Sequence, residues 1–213
     1  MSSFIIIMMK TVHVYIDTEG TSPYLMELAC VAFEYPPSPK VTFGKPVDKL
    51  HMFCTDGLKN PRLSVETRLC HGIPNHIVRD KGVSIDEVDI RLANFLDQLL
   101  AKYRVIICGH GDDMTEAELS HLFKQPKWDM CHFRQVHLPN WVTRVTMPYH
   151  KAAYLIKQGL QMSISPCSID NHRIPLVKPR RTPGQIAKAD FGFHCAFIDC
   201  LELAMYDCLY PYY

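Results

Sequence analysis

The stretch "TVHVYIDTEG", residues 11–20, alternates Val12, Val14 and Ile16 against Thr11, His13 and Tyr15, and closes on a turn glycine, Gly20. A period of two commits these residues to a strand with one apolar face. "LMELACVAFEY", residues 25–35, reads as the next strand and is stopped by Pro36, Pro37 and Pro39, which cannot donate to a ladder. With only the "GTSP" turn between them, the two are predicted to pair antiparallel.

The remaining pattern is mostly helical. In "SIDEVDIRLANFLDQLLAKY" (84–103), Ile85, Val88, Leu92, Phe95, Leu96 and Leu99 recur at helical spacing. Ser84 is placed to cap this helix, with Glu87 at the reciprocal capping-box position. A short apolar strand, "RVIICG" (104–109), leads into a second amphipathic helix, "DDMTEAELSHLFK" (112–124). A third is predicted at 149–160, and a last one from near His194 to about Leu209. Between those two runs a long segment marked by Pro166, Pro175, Pro179 and Pro183, which at that length should be functional or tied down. Strands followed by alternating helices and strands indicate an α/β domain on a mixed sheet. No repeat, low-complexity tract or composition break divides it, so residues 1–213 are read as a single domain.

Size and charge narrow the function classes. A chain of 213 residues, 47% hydrophobic and 21% charged, buries a real core. A net charge of +1 gives no global attraction for nucleic acid or anionic membrane, so such binding must come from a local patch. The apolar run Phe4–Met9 is too short to span a bilayer and lacks the basic start and cleavage site of a secretory signal; it reads as a strand or strand lead-in. Nine cysteines at irregular spacing then point to a reducing compartment, cytoplasmic or nuclear, where thiols pack or bind metal.

Several residues carry chemistry. Asp17 and Glu19 stand two apart at the end of the first strand, so their side chains share one side of the sheet. Two carboxylates so placed repel unless a cation lies between them, although strand-end acids are commonly just solvated. Asp112 and Asp113 follow the strand "VIICG", where helix capping alone accounts for them. In "FGFHCAFIDC" (191–200), His194 and Asp199 stand five apart in an apolar stretch. A lone histidine there is more often a core residue; Asp199, among Phe197, Ile198, Cys200 and Leu201, requires something to offset its desolvation.

D-x-E on the first strand, an acid after a middle strand and H-x4-D on the last helix resemble the DEDDh exonuclease branch of the ribonuclease H-like superfamily. The resemblance implies that Asp17, Glu19, Asp113 and Asp199 bind two magnesium or manganese ions. His194 would be the general base. The family's middle Asp falls a few residues deeper in the helix, where this chain has Thr115 and Glu116. Asp113 is assigned, with Asp112 as its alternative, and Glu116 stays open.

A second constellation shares the last helix. Cys167 and His172 lie five apart in the proline-marked segment, and Cys195 opens the helix. Two thiolates and an imidazole are three of the four ligands of a tetrahedral zinc site, with Glu27, an odd carboxylate within "YLMELACVAF", as the fourth. A loop thiol, a packed thiol and an edge-strand acid would explain the same residues. Glu in "MELACV", Cys and His in "PCSIDNH" and Cys in "FHCAFIDCLELAMY" resemble the Glu-Cys-His-Cys pattern of the Maelstrom domain, itself ribonuclease H-like. The similarity extends loosely over most of the chain. Animal members of that family generally lose the DEDDh residues, keep the zinc residues and carry an HMG box ahead of the domain. This chain has no such box and resembles lineages in which both residue sets coexist.

The resemblance implies a metal-dependent 3′-to-5′ exonuclease acting on single-stranded RNA or DNA, related to small-RNA silencing, with structural zinc. Its alternatives are a catalytically silent RNA- or protein-binding module stabilised by zinc, with small-RNA silencing proteins among its partners, and a ribonuclease that does not use the DEDDh residues. Arg173, Lys178, Arg180, Arg181 and Lys188 occur in "HRIPLVKPRRTPGQIAK" (172–188) without an acidic residue. This cluster suits a phosphate backbone, or is simply a solvated loop.

Overall fold

The computed structural model describes residues 9–21, 23–35, 46–60, 73, 75–110, 116–136 and 196–209. The Phe4–Met9 lead-in apart from Met9, the expected helix at 149–160 and the proline-marked segment lie outside them.

The two alternating stretches form β1 (Lys10–Thr21) and β2 (Tyr24–Tyr35), paired antiparallel. A third strand, β3 (Pro46–Phe53), adds antiparallel to β2. Then come a 3-10 turn (Thr55–Lys59), α1 (Asn75–Lys81) and α2 (Ile85–Leu100). β4 (Tyr103–His110) returns parallel to β1. α3 (Glu116–Leu122), a 3-10 turn (Trp128–Met130) and β5 (His132–Val136) follow, with β5 parallel to β4. α4 (Ala196–Leu209) comes last. The sheet order is β3-β2-β1-β4-β5, a five-stranded mixed sheet in an α/β fold.

Three elements, β3, α1 and β5, go beyond the pattern read in the sequence. α1 has seven residues, too few to show a helical period. β5 (HFRQV) sits at the sheet edge with only Val136 buried, so it carries no apolar alternation. The second amphipathic helix is described from Glu116, four residues into the expected 112–124. The last begins at Ala196, leaving His194 and Cys195 outside the described residues.

The two faces of the sheet differ in kind. Val12, Val14 and Ile16 of β1, Leu28, Cys30 and Ala32 of β2, and Val105 and Ile107 of β4 are all buried in one cluster with Val88, Leu92, Phe95, Leu96 and Leu99 of α2. Ser84 caps α2 by accepting from Glu87 N at 3.3 Å. The Glu87 carboxylate accepts from Arg91 Nε at 2.7 Å, an i,i+4 pairing along the helix rather than a return to the cap. Leu92→Ala, at the centre of this cluster, is expected to lower stability by about 2–5 kcal/mol through lost transfer energy and a residual cavity. The midpoint of denaturant unfolding checks it.

The opposite face is covered by α4, which packs on β1 and β2. On this face Tyr15, Ala29, Val31 and Phe33 lie beside His13, Asp17, Glu19, Glu27 and His51, more polar groups than an ordinary core holds. That polarity marks where the chemistry lies.

Candidate functional site

Strand alternation and register assemble the site. Asp17 and Glu19 project from β1 on the α4 side, and across the ladder Asp17 faces Ala29 while Glu19 faces Glu27. The small side chain of Ala29 leaves room above the sheet, and Cys200 of α4 seats on it with Sγ donating to Ala29 O at 3.3 Å. Immediately after Glu19 the register shifts, and Gly20 takes φ 121°. A Cβ at Gly20 would lie 2.5 Å from Tyr24 O, so only glycine fits this bulge. The bulge bends the strand end where the two carboxylates are presented.

α4 brings Asp199 to them from its first turn. Oxygens of Asp17, Glu19 and Asp199 lie within 4.8 Å of one another, and each residue is partly exposed, so the cluster opens to solvent. Burial, and then the charges of Asp199, Glu19 and Glu27, push the Asp17 carboxyl well above the usual carboxylate range, against a smaller opposing effect of the Thr18 backbone N–H. Crowded oxygen donors that resist ionising together are what a hard divalent cation relieves.

Glu27 is fully buried. Its Oε1 lies 2.7 Å from Nε2 of His51, and its Oε2 accepts from Ala196 N at 3.3 Å. It therefore satisfies a backbone donor at the α4 N-terminus, where a negative charge also suits the helix dipole. His51 comes from β3, in register with Ala29, and its ring lies 5.4 Å from that of Phe197. Sequence reasoning passed over His51. Its signal was faint: one histidine in "PVDKLHMF", a strand whose partner becomes visible only once the sheet order is known.

Of the acids singled out in the sequence, the structure brings Asp17, Glu19 and Asp199 together and sets Glu27 beside them. Glu116, the open alternative for the middle acid, is exposed at the start of α3. There it acts on Cys131, whose thiol is pushed up to about 12 by burial and then by Asp129 and Glu116. Among the described residues Glu116 is not one of the converging carboxylates. Asp112, Asp113, His194, Cys167, His172, Cys195 and the basic cluster Arg173, Lys178, Arg180, Arg181 and Lys188 lie outside the described residues. Among those described, no helix is long and apolar enough to cross a membrane.

No protein-family model matches the chain, and no curated protein does. Among solved structures, E. coli Exonuclease I in complex with an oligonucleotide is similar over 94% of this chain and 40% of its own, at 15% identity and a TM-score of 0.46. Exonuclease I in its apo form is similar over 95% of this chain and 42% of its own, at 15% identity and a TM-score of 0.49. The nuclease domain of 3′hExo, a DEDDh family member bound to rAMP, is similar over 76% of this chain and 86% of its own, at 13% identity and a TM-score of 0.45. This chain spans 40% to 42% of the length of the Exonuclease I chains it matches. At such identities the reading of the site rests on its own residues.

Proposed function

We propose that this chain is a metal-dependent nuclease of the DEDDh kind, releasing nucleotides in the 3′-to-5′ direction from single-stranded RNA or DNA. One observation carries the reading: Asp17 and Glu19 from the first strand and Asp199 from the last helix converge within 4.8 Å. An all-oxygen set of this kind fits magnesium or manganese. When bound, such ions supply the charge that activates water and stabilises the leaving oxygen of a phosphodiester. Asp17 and Glu19 hold their positions on a strand end fixed by the sheet, and Asp199 completes the set from α4. Asp113, with Asp112 as alternative, is the fourth carboxylate in this reading, and His194 the base that takes the proton from water.

The same reading makes residues 1–213 one Maelstrom-like domain of ribonuclease H-like fold, with links to small-RNA silencing. Glu27, Cys167, His172 and Cys195 would hold structural zinc at the start of α4. The placement of Glu27 supports this, since its carboxylate reaches the backbone of the residue directly after Cys195. A clamp there fixes the turn that delivers Asp199.

The test is cleavage of a 5′-labelled single-stranded RNA with manganese, alongside Asp17→Ala and His194→Ala. A ladder shortening from the 3′ end, lost in both variants, is expected. Bound but uncut RNA would instead identify a silent binding module, and cutting that survives both changes would mean a ribonuclease that does not use these residues.

In this reading the basic cluster holds the phosphate backbone. Reversing Arg180 and Arg181 to Glu is expected to weaken binding about equally for all sequences. It should also make the slope of log affinity against log salt shallower, by about 0.7 for each single-strand phosphate no longer neutralised. An unchanged slope would return the cluster to an ordinary solvated loop.

A further inference from the structure

The polar face under α4 continues past the carboxylates into a second cluster that the nuclease reading does not use. β-sheet register sets Tyr15, Cys108 and Arg134 directly opposite one another across β1, β4 and β5. His13 lies two residues before Tyr15 on the same face, and Asp207 of α4 comes down onto this row. His13 is 2% exposed, Cys108 0% and Asp207 8%. His13 Nδ1, Cys108 Sγ and a carboxylate oxygen of Asp207 all lie within 4.8 Å of one another.

We propose that His13, Cys108 and Asp207 form a zinc site that pins the C-terminal half of α4 to the sheet. Nitrogen, thiolate and carboxylate are the donors zinc takes, with bonds near ~2.0–2.3 Å that set tetrahedral donors ~3.5 Å apart. The His13 Nδ1 to Asp207 Oδ2 separation is already 3.4 Å. His13 Nδ1 also stands 3.4 Å from Tyr15 Oη, and Cys108 Sγ lies 3.9 Å from Ile106 O.

The surroundings suit an ion held by these three. Tyr15 Oη donates to Asp207 Oδ2 at 2.6 Å, and Arg134 pairs with Oδ1. Hydrogen-bonded partners of this kind orient a ligating carboxylate. The His13 ring is stacked on Tyr35, centroids 4.3 Å apart. Burial first, and then the Arg134 charge, lower its pKa to about 4. On binding, Cys108 gives up its thiol proton to solvent. Thiolate and carboxylate then balance the two charges of zinc, and partly exposed Arg134 stays paired with the other oxygen of Asp207. The site is independent of the nuclease reading and of the Glu27 set, which lies at the other end of α4: Asp207 is eight residues beyond Asp199, about 12 Å along the helix.

The test uses the full chain carrying Cys167→Ser and Cys195→Ser, which removes the thiolates of the other set. Cobalt is expected to give a thiolate-to-metal charge-transfer band and the intense visible bands of tetrahedral coordination from one ion per chain, apart from any cobalt held by the carboxylate cluster. Adding Cys108→Ser should abolish the charge-transfer band, and adding His13→Gln should lower cobalt affinity at least about tenfold. No thiolate band in the starting protein, or a band that survives Cys108→Ser, overturns the site and leaves a hydrogen-bonded network. Should these variants fail to fold, cadmium-113 resonances of the unmodified chain decide, since their shifts report how many thiolates bind each ion. A resonance from a one-thiolate site supports the proposal, and its absence overturns it.

Discussion

Asp17→Asn is expected to abolish phosphodiester hydrolysis and, in the metal-free protein, to raise the melting temperature. Both effects have one origin. Asp17 stands among Asp199, Glu19 and Glu27, and burial with their charges holds its carboxyl well above the ordinary range. In the unfolded chain it ionises near the usual value, about 3.9. Between that value and its raised native value, the native protein binds a proton that the unfolded chain has already released. Stability of the metal-free protein therefore falls as pH rises through this window. Asparagine carries no charge and removes that slope, so the gain should be largest at neutral pH and vanish below the ordinary carboxylate range.

A divalent cation reverses the ranking. It relieves the repulsion in the native cluster and stabilises wild type by mass action, while the Asp17→Asn variant lacks one ligand and gains little. Hydrolysis should drop by about a thousandfold or more, since the charge stabilisation supplied at such a site amounts to several kcal/mol. Thermal melts from about pH 4 to 8, with chelator and with manganese, read the first effect, and cleavage of labelled RNA reads the second. A variant less stable than wild type in chelator would contradict the electrostatic account of Asp17. One that retained hydrolysis within a few-fold would sink the metal-dependent reading.

What the sequence showed of this fold follows from where a side-chain period survives. β1 and β2 were legible because one face of each meets the α2 core, leaving Val12, Val14 and Ile16 in strict alternation. α2 was legible through its apolar stripe and Ser84 cap. β5 was not, because an edge strand with one buried residue has no pattern to read, and β3 mixes Asp48, Lys49 and His51 into its run. The site divides the same way. That Asp17 and Glu19 share a side is local geometry, so it could be read from two-residue spacing. The juxtapositions of Glu27 with His51, and of Cys108 with Tyr15 and Arg134, are products of strand order and register. Neither follows from spacing along the chain.

Glu27 gives the sharpest measure of what the polar face contributes to stability. Glu27→Ala is expected to cost about 3–5 kcal/mol, because it leaves both the His51 ring and the Ala196 N–H without their acceptor. Glu27→Gln separates the structural part from the metal. The amide oxygen still accepts from Ala196 N, and the other end still meets His51, so in chelator the loss should be only about 1 kcal/mol. Zinc does not take a neutral amide in place of a carboxylate at comparable affinity, so in zinc the same variant should fall much further below wild type. It should also carry less metal. Denaturant midpoints with and without zinc, together with zinc content after gel filtration, give both quantities. If Glu27→Gln holds as much zinc as wild type, Glu27 is a helix-capping acid and no ligand. The clamp would then consist of the hydrogen bonds already present: His51 from β3, Glu27 from β2 and the first amide of α4, three elements fixed in place around the turn that carries Asp199.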